Sequence, residues 1–304
     1  ALNGPSGFES EVTAAAAELL RPLVDEVTVD RMGSVVGLRS CGKAGAPKVL
    51  LDAHLDEIGF LVTGHEEGYL RIAPLGGVDP RMLPDRELTF LTQPPVHGVA
   101  ACLPPHIQSR EDMDRSVPIS ELYVDVGLSQ EQAQRLVPIG TPAVYRTGCF
   151  PLGEDLVCGK ALDDRACFVC ILLALEELKD KELDVDLIVL GSTKEEVGGH
   201  GARARAYLDA PDYAIAIDVC HARTGDNKPE DRVFDLGGGP VIGFGSNSMP
   251  KFARRLCEVA RAKEIPYQPE AVPAHSGTNA WSIQPIDTRV SRSTSLIPRA
   301  TPTL

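Results

Sequence analysis

Leu187-Ile-Val-Leu-Gly-Ser-Thr-Lys-Glu-Glu-Val-Gly-Gly-His-Gly201 holds the local grammar of the whole chain in fifteen residues. Leu187 to Leu190 is an unbroken apolar run, the pattern of a strand covered on both faces. Two glutamates and a glycine-rich turn follow, and helical spacing then sets in over 201–208. Strand, turn and helix in this order make the repeating unit of an α/β sheet. Working outward, Lys48 to Leu51 and Tyr213 to Val219 read as further strands, and 164–179 and 250–263 as further helices. Near the start, Ser6-Gly-Phe-Glu9 has the form of a capping box and leads into an Ala-rich helix reaching about Leu20.

Residues from about 65 to 147 read differently. Pro, Gly and short alternating runs recur, such as Glu87 to Leu91 and Leu122 to Val126, with helical spacing only over 129–136. A β-rich insert over 65–147 is therefore expected to split an α/β domain into the pieces 1–64 and 148–304. After Gln284 the apolar periodicity fades, and Pro285 to Leu304 predicts an irregular tail.

Composition narrows the function. The chain has 304 residues, with 30 Lys+Arg against 43 Asp+Glu, a formal charge of -13 that repels a phosphate backbone; nucleic acid is an unexpected partner. No apolar run has membrane-spanning length, and no basic-then-apolar leader is present, so a membrane role is unexpected too. Eight cysteines are too dilute for a disulfide scaffold, which points to a reducing cytoplasm. Cys167 and Cys170, the one C-x-x-C, fall on a helical apolar pattern and are expected as buried core thiols.

Chemistry concentrates where strands end. His54 and Asp56 follow the apolar run Val49 to Leu51, two residues apart and so on one side if the strand continues. Open α/β sheets place their sites at such carboxyl ends. Asp163 and Asp164 precede a helix, where one carboxylate serves as a cap but two are not required. Glu195 and Glu196 repel each other, and burying both calls for a cation or donors. Asp218 closes the apolar strand Ala214 to Ile217. Together these oxygen and imidazole donors suit zinc, cobalt or manganese, and a carboxylate shared between two ions with a free glutamate beside it is the apparatus of two-metal hydrolysis.

The segments Gly4-Pro-Ser-Gly-Phe-Glu9, Ala53-His-Leu-Asp-Glu-Ile-Gly59, Pro104-Pro-His106, Gly159-Lys-Ala-Leu-Asp-Asp-Arg165, Glu195-Glu-Val-Gly198, Gly237-Gly-Gly-Pro240 and Ser276-Gly-Thr278 resemble those of the M42 metallo-aminopeptidases. That group includes the tetrahedral aminopeptidases and proteins labelled glucanase. The resemblance implies a zinc-peptidase-like α/β domain with a mixed sheet flanked by helices, an inserted small β-barrel-like domain that mediates assembly, homo-oligomers from dimer to dodecamer, and short peptides as substrates. It implies that His54, Asp163 and Asp218 hold one divalent ion, zinc or cobalt or manganese, that Asp163 and Glu196 hold a second, that Glu195 is the general base acting on an activated water, and that Asp56 orients His54.

Three positions depart from the family. Asn279 stands where Asp is usual, Lys194 where Gln is common, and no histidine follows His275, although the family's last ligand is a histidine near the C-terminus. Thr294 to Pro298, Arg299, Thr301 and Pro302 resemble that segment in fragments. His275 and His221 are the available substitutes. A metal-binding relative with impaired catalysis is the alternative this leaves open. Glucan hydrolysis is a further one, disfavoured because Glu195 and Glu196 are sequence neighbours rather than carboxyls facing each other across a sugar.

Overall fold

Two units make up the chain, the first formed by Glu9–Asp56 with Leu162–Thr303 and the second by Ala1–Phe8 with Glu57–Ala161. The structure, a computed structural model, describes residues 2–109, 115–225, 227–228, 231, 233–286 and 291–299, the last stretch by its backbone. In chain order the strands are β1 (Glu26–Val29), β2 (Val35–Arg39), β3 (Lys48–His54), β4 (Gly59–Glu66), β5 (Tyr69–Leu75), β6 (Glu87–Phe90), β7 (Val96–Ala101), β8 (Tyr123–Asp125), β9 (Pro142–Tyr145), β10 (Cys149–Leu152), β11 (Leu156–Gly159), β12 (Asp186–Ser192), β13 (Tyr213–His221), β14 (Val241–Gly245), β15 (Gln268–Val272) and β16 (Ser291–Arg299). The helices are α1 (Ser10–Leu20), α2 (Gln130–Leu136), α3 (Leu162–Leu178), α4 (His200–Asp209), α5 (Pro250–Ala262) and α6 (Asn279–Ile283).

The first unit is built on a mixed eight-stranded sheet in the order β1-β2-β12-β3-β13-β16-β14-β15. Its centre, β12-β3-β13-β16, is parallel; β1 and β2 meet their neighbours antiparallel, and β14 runs antiparallel to β16 and parallel to β15. The continuous apolar run of β12 has its explanation in two cores. Leu187 and Val189 pack on one face with Leu20, Leu55, Phe168 and Ile171. Ile188 and Leu190 pack on the other with Val36, Leu50, Ala202 and Ala206. Alternating side chains of one strand thus feed both cores, which is why the run shows no alternation in polarity.

Three expectations need correction here. Helix α1 starts with Glu9 as its N-cap and no side-chain capping bond, so Ser6 is not its cap. The Glu9 carboxylate instead accepts a hydrogen bond from the Lys194 amide at 3.2 Å. The tail is not irregular throughout, because Ser291–Arg299 forms β16, parallel to β13 and antiparallel to β14. A strand lodged between two others is held by backbone bonds from both sides, which a scan for apolar periodicity does not register. Thr301 and Pro302 lie outside the described residues. Finally, Cys167 is buried but Cys170 is exposed, since α3 turns Val169 and Cys170 away from the sheet.

The second unit holds a closed barrel, β4-β5-β8-β7-β6-β9. Phe60, Val62, Leu70, Leu88, Phe90 and Val124 fill it and are fully buried. Closure leaves no free strand edge. β4 pairs with β5 and β9, so Gly59 to Gly64, read from sequence with the α/β piece, belongs to the barrel by its hydrogen bonds. The hairpin β10-β11 is grouped with the same unit. Helix α2 falls where the 129–136 spacing predicts one, and Ser129 and Gln132 form a complete capping box on it.

Candidate metal centre

β12, β3 and β13 lie side by side and parallel, which brings their carboxyl ends to one edge of the sheet. His54 is the last residue of β3, Asp218 lies near the end of β13, and Glu195 with Glu196 occupies the turn that follows β12. Asp163 sits at the head of α3 with extended rather than helical backbone (φ −81°, ψ 106°). The turn carrying the glutamates is closed by Gly198 and Gly199 amides donating to the Glu195 and Lys194 carbonyls, both at 2.9 Å. Gly199 has φ +67°, a conformation a side chain would strain.

One buried carboxylate organises this edge. Asp56, fully buried, accepts the Glu195 amide at 3.0 Å on Oδ1 and the Glu196 amide at 3.2 Å on Oδ2, and its Oδ1 lies 3.5 Å from His54 Nδ1. The opposite ring nitrogen, Nε2, faces Asp163 Oδ1 at 3.0 Å and Glu195 Oε2 at 4.0 Å. The His54 amide donates to Asp164 Oδ2 at 3.2 Å. His54 is therefore fixed at its backbone and at Nδ1, which leaves Nε2 facing the carboxylates.

The electrostatics are those of carboxylates crowded together out of water. Burial, reinforced by the neighbouring carboxylates against the opposing pull of His54, pushes Glu195 and Glu196 each up to about 7. Burial likewise drives Asp218 and Asp164 well above the carboxylate range, with the Asp163 and Asp218 charges respectively adding to it. Burial works to lower the His54 pKa, but hydrogen bonds to Asp163 and Asp56 and the surrounding negative charge raise it well above its ordinary value. Asp52, two residues before His54 and fully buried, is pushed up to about 6 by burial, with Ser192 and Asn279 opposing the rise. Asn279 also donates to Ser192 Oγ at 2.9 Å.

Two groups of candidate donors stand close together. One donor atom each from His54, Asp163 and Glu196 lies within 4.8 Å of the others, and the same holds for His54, Asp164 and Asp218. Asp164 Oδ1 is buried without a hydrogen-bond partner, an atom with an open coordination direction. The donors present thus fit divalent cations in charge, chemistry and spacing. Both groups contain His54, and the second brings in Asp164. The signal for Asp164 was its pairing with Asp163, where one helix cap would have sufficed.

His54, Asp163, Glu195, Glu196 and Asp218 line one cavity of about 340 Å³. Asp56 is not among the lining residues and stands behind His54. His221 lines the cavity, yet among the described residues no histidine besides His54 belongs to either group. His275 stacks on Trp281 at 4.5 Å between ring centroids, and its Nδ1 accepts the Gly277 amide at 2.9 Å.

Two motif residues had no role in the sequence reading. Lys160, from Gly159-Lys-Ala-Leu-Asp163, and Glu57, from His54-Leu-Asp-Glu57, pair with each other in the second unit. Lys160 Nζ lies 2.7 and 2.8 Å from the two Glu57 oxygens and 3.0 Å from Asn3 Oδ1, with both charged side chains 4% exposed. The sequence signal was the presence of each in a matching segment, which says nothing about its partner.

A mixed sheet whose parallel centre gathers His54 and clustered carboxylates beside a cavity, in a chain that also carries a closed barrel, fits a metal-dependent peptidase. Comparison gives the class its family. The M42 glutamyl aminopeptidase family profile matches residues 33–297. A lysyl aminopeptidase of Pyrococcus furiosus is 34% identical over 287 residues, covering 92% of this chain and 81% of the relative. Aminopeptidase APDkam598 from the archaeon Desulfurococcus kamchatkensis superposes with TM-score 0.90 at 34% identity, covering 99% of this chain and 85% of that one. The TET1 peptidase of Pyrococcus horikoshii, described as assembling into a tetrahedron or a large octahedral shell, superposes with TM-score 0.84 at 29% identity, covering 99% and 89%. The chain belongs to the M42 family, and it is a peptidase of the aminopeptidase type.

Proposed function

We propose that this chain removes N-terminal residues from short peptides with two divalent ions, zinc or cobalt or manganese, held by His54, Asp163, Glu196 and Asp218, and with Glu195 as general base. The observation that carries the reading is the convergence of these side chains on one cavity, where burial raises the pKa of the carboxylates. Bound among them, divalent ions would supply the Lewis acidity that polarises a peptide carbonyl and acidifies water. Glu195 takes a proton from the attacking water and delivers one to the departing amine. Asp56 holds His54 in orientation and, through the Glu195 and Glu196 amides, holds the turn that carries the base. Asp164 supports His54 through its backbone amide and adds a donor beside Asp218.

The same proposal assigns the barrel a role in homo-oligomeric assembly, supported by the shells of the TET1 relative. Light scattering of the full chain checks it; a monomer at micromolar concentration would remove it.

The test of the chemistry is Glu195→Gln, assayed for metal content by plasma mass spectrometry and for hydrolysis of leucine amide. Metal stoichiometry should match the parent protein, while kcat falls by about 10²–10⁴, the usual contribution of a general base. Undiminished hydrolysis would rule out Glu195 as the base. A parent protein that holds one ion and turns over no unblocked peptide would instead be the impaired metal-binding relative.

A further inference from the structure

We infer that Glu57 and Lys160 are positioning residues for the metal centre: their buried pair anchors the strained segment that presents Asp163, and so sets how tightly the site holds a divalent ion. The inference rests on the metal-dependent reading above. Two segments meet in the groups of candidate donors. One runs from His54 through Asp56 to Glu57, and the other from Lys160 through Asp163 and Asp164 to Arg165. Three bonds tie them across. The His54 amide donates to Asp164 Oδ2 at 3.2 Å, Arg165 Nε donates to the Leu55 carbonyl at 2.9 Å, and Lys160 Nζ donates to both Glu57 oxygens at 2.7 and 2.8 Å. Of the three, only the last joins two opposite charges, the strongest kind of hydrogen bond.

The backbone between these ties is not one the chain adopts freely. Ala161 has φ +58°, a left-handed conformation that its Cβ disfavours, and Asp163 is extended at the head of α3. Such a stretch persists only where the contacts on either side over-determine it. After it, Asp164 and Arg165 are fastened to His54 and Leu55. Before it, the fastening is Lys160, which also donates to Asn3 Oδ1 at 3.0 Å. Glu57 is fixed in turn, since its Oε1 accepts the Gly4 amide and its own amide donates to the Gly4 carbonyl, both at 3.0 Å.

Neither Glu57 nor Lys160 lines the cavity, so their effect on an ion passes through the backbone to Asp163. An ion shared by His54 and Asp163 requires the close approach of Nε2 and Oδ1, 3.0 Å apart in the structure. If the anchor is lost, the segment relaxes and only a fraction of molecules keeps that approach, which weakens apparent affinity by the same fraction.

A pair that served stability alone would behave differently, because charge and tie can be removed separately in their effects. Lys160→Met leaves a buried carboxylate unpaired, whereas Glu57→Gln with Lys160→Met removes both charges and still leaves the segments untied. Zinc affinity of the full chain is measured by competition with a chelator, beside urea midpoints, for the parent, the double variant and Leu70→Val, a change in the barrel core that lowers stability and leaves the tie intact. The double variant should bind zinc about 10–100-fold more weakly than the parent, the usual loss when a group supporting a ligand is removed, and Leu70→Val should bind it as the parent does. Parent-like affinity in the double variant would overturn the inference, as would an equal loss in Leu70→Val. If the parent itself binds no zinc, the function proposed above fails and hydrogen exchange of the metal-free protein decides the inference by itself. Amides over 159–165 should then exchange at least about tenfold faster in the double variant than in the parent, with those of β4 and β5 unchanged; equal exchange over 159–165 ends it.

Discussion

Lys160 carries its charge where only 4% of the side chain meets water, and it does so because Glu57 accepts from it with both oxygens. Removing one partner of such a pair leaves the other as an uncompensated buried charge. Lys160→Met should therefore cost about 3–5 kcal/mol in urea denaturation, while adding Glu57→Gln to it should recover a large part of that loss. An equal or greater loss in the double variant would show that packing, not charge, dominates there. The pair illustrates what single residues disclose. His54, Asp163, Glu195 and Asp218 stood out in the sequence because ionisable groups at strand ends and beside glycines have few structural uses. Asp164 was obscured by a sufficient alternative, the helix cap.

At the scale of elements, the turn after β12 is the part whose shape the site depends on. Gly201, in the first turn of α4, is packed so closely that a Cβ would lie 2.6 Å from Ser34 Oγ and 2.6 Å from the Thr193 carbonyl oxygen. The backbone atom cannot swing aside without moving the segment that leads to Glu195. Gly201→Ala should destabilise the protein by about 1–3 kcal/mol in thermal or urea melts, and should also weaken zinc retention against a chelator. Loss of stability with unchanged zinc retention would show that the turn absorbs the strain without disturbing the glutamates. This turn was legible because a two-sided strand, a glycine run and a helix follow each other locally. β16 was not, because its pairing with β13 and β14 joins segments distant in sequence, and its own residues offer little apolar pattern. The barrel lay between these cases: its β character was readable, but the membership of β4 was decided by pairing with β9, far along the chain.

For the molecule as a whole, the acid cluster couples stability to pH and to metal. Glu195 and Glu196 move from an ordinary 4.5 to about 7 on burial, so between those values the folded chain binds more protons than the unfolded one. Stability of the chelated protein must then fall as pH rises from about 5 to about 7, because the unfolded state releases protons that the folded state retains. At about 1.4 kcal/mol per pKa unit the effect is on the order of a few kcal/mol; the two glutamates influence each other, so their contributions do not simply add. The formal charge of -13 contributes a slope of the same sign through general repulsion, so the cluster has to be read by difference. Urea midpoints of the chelated parent and of a Glu195→Gln, Glu196→Gln double variant, taken between pH 5 and 7.5, provide that difference. The variant should lose less stability over the interval, and zinc should flatten the parent's curve by stabilising the ionised carboxylates in the folded state alone. Parallel curves for parent and variant would mean that the glutamates reach water in the folded chain, and the argument that their burial calls for a cation would fall with them.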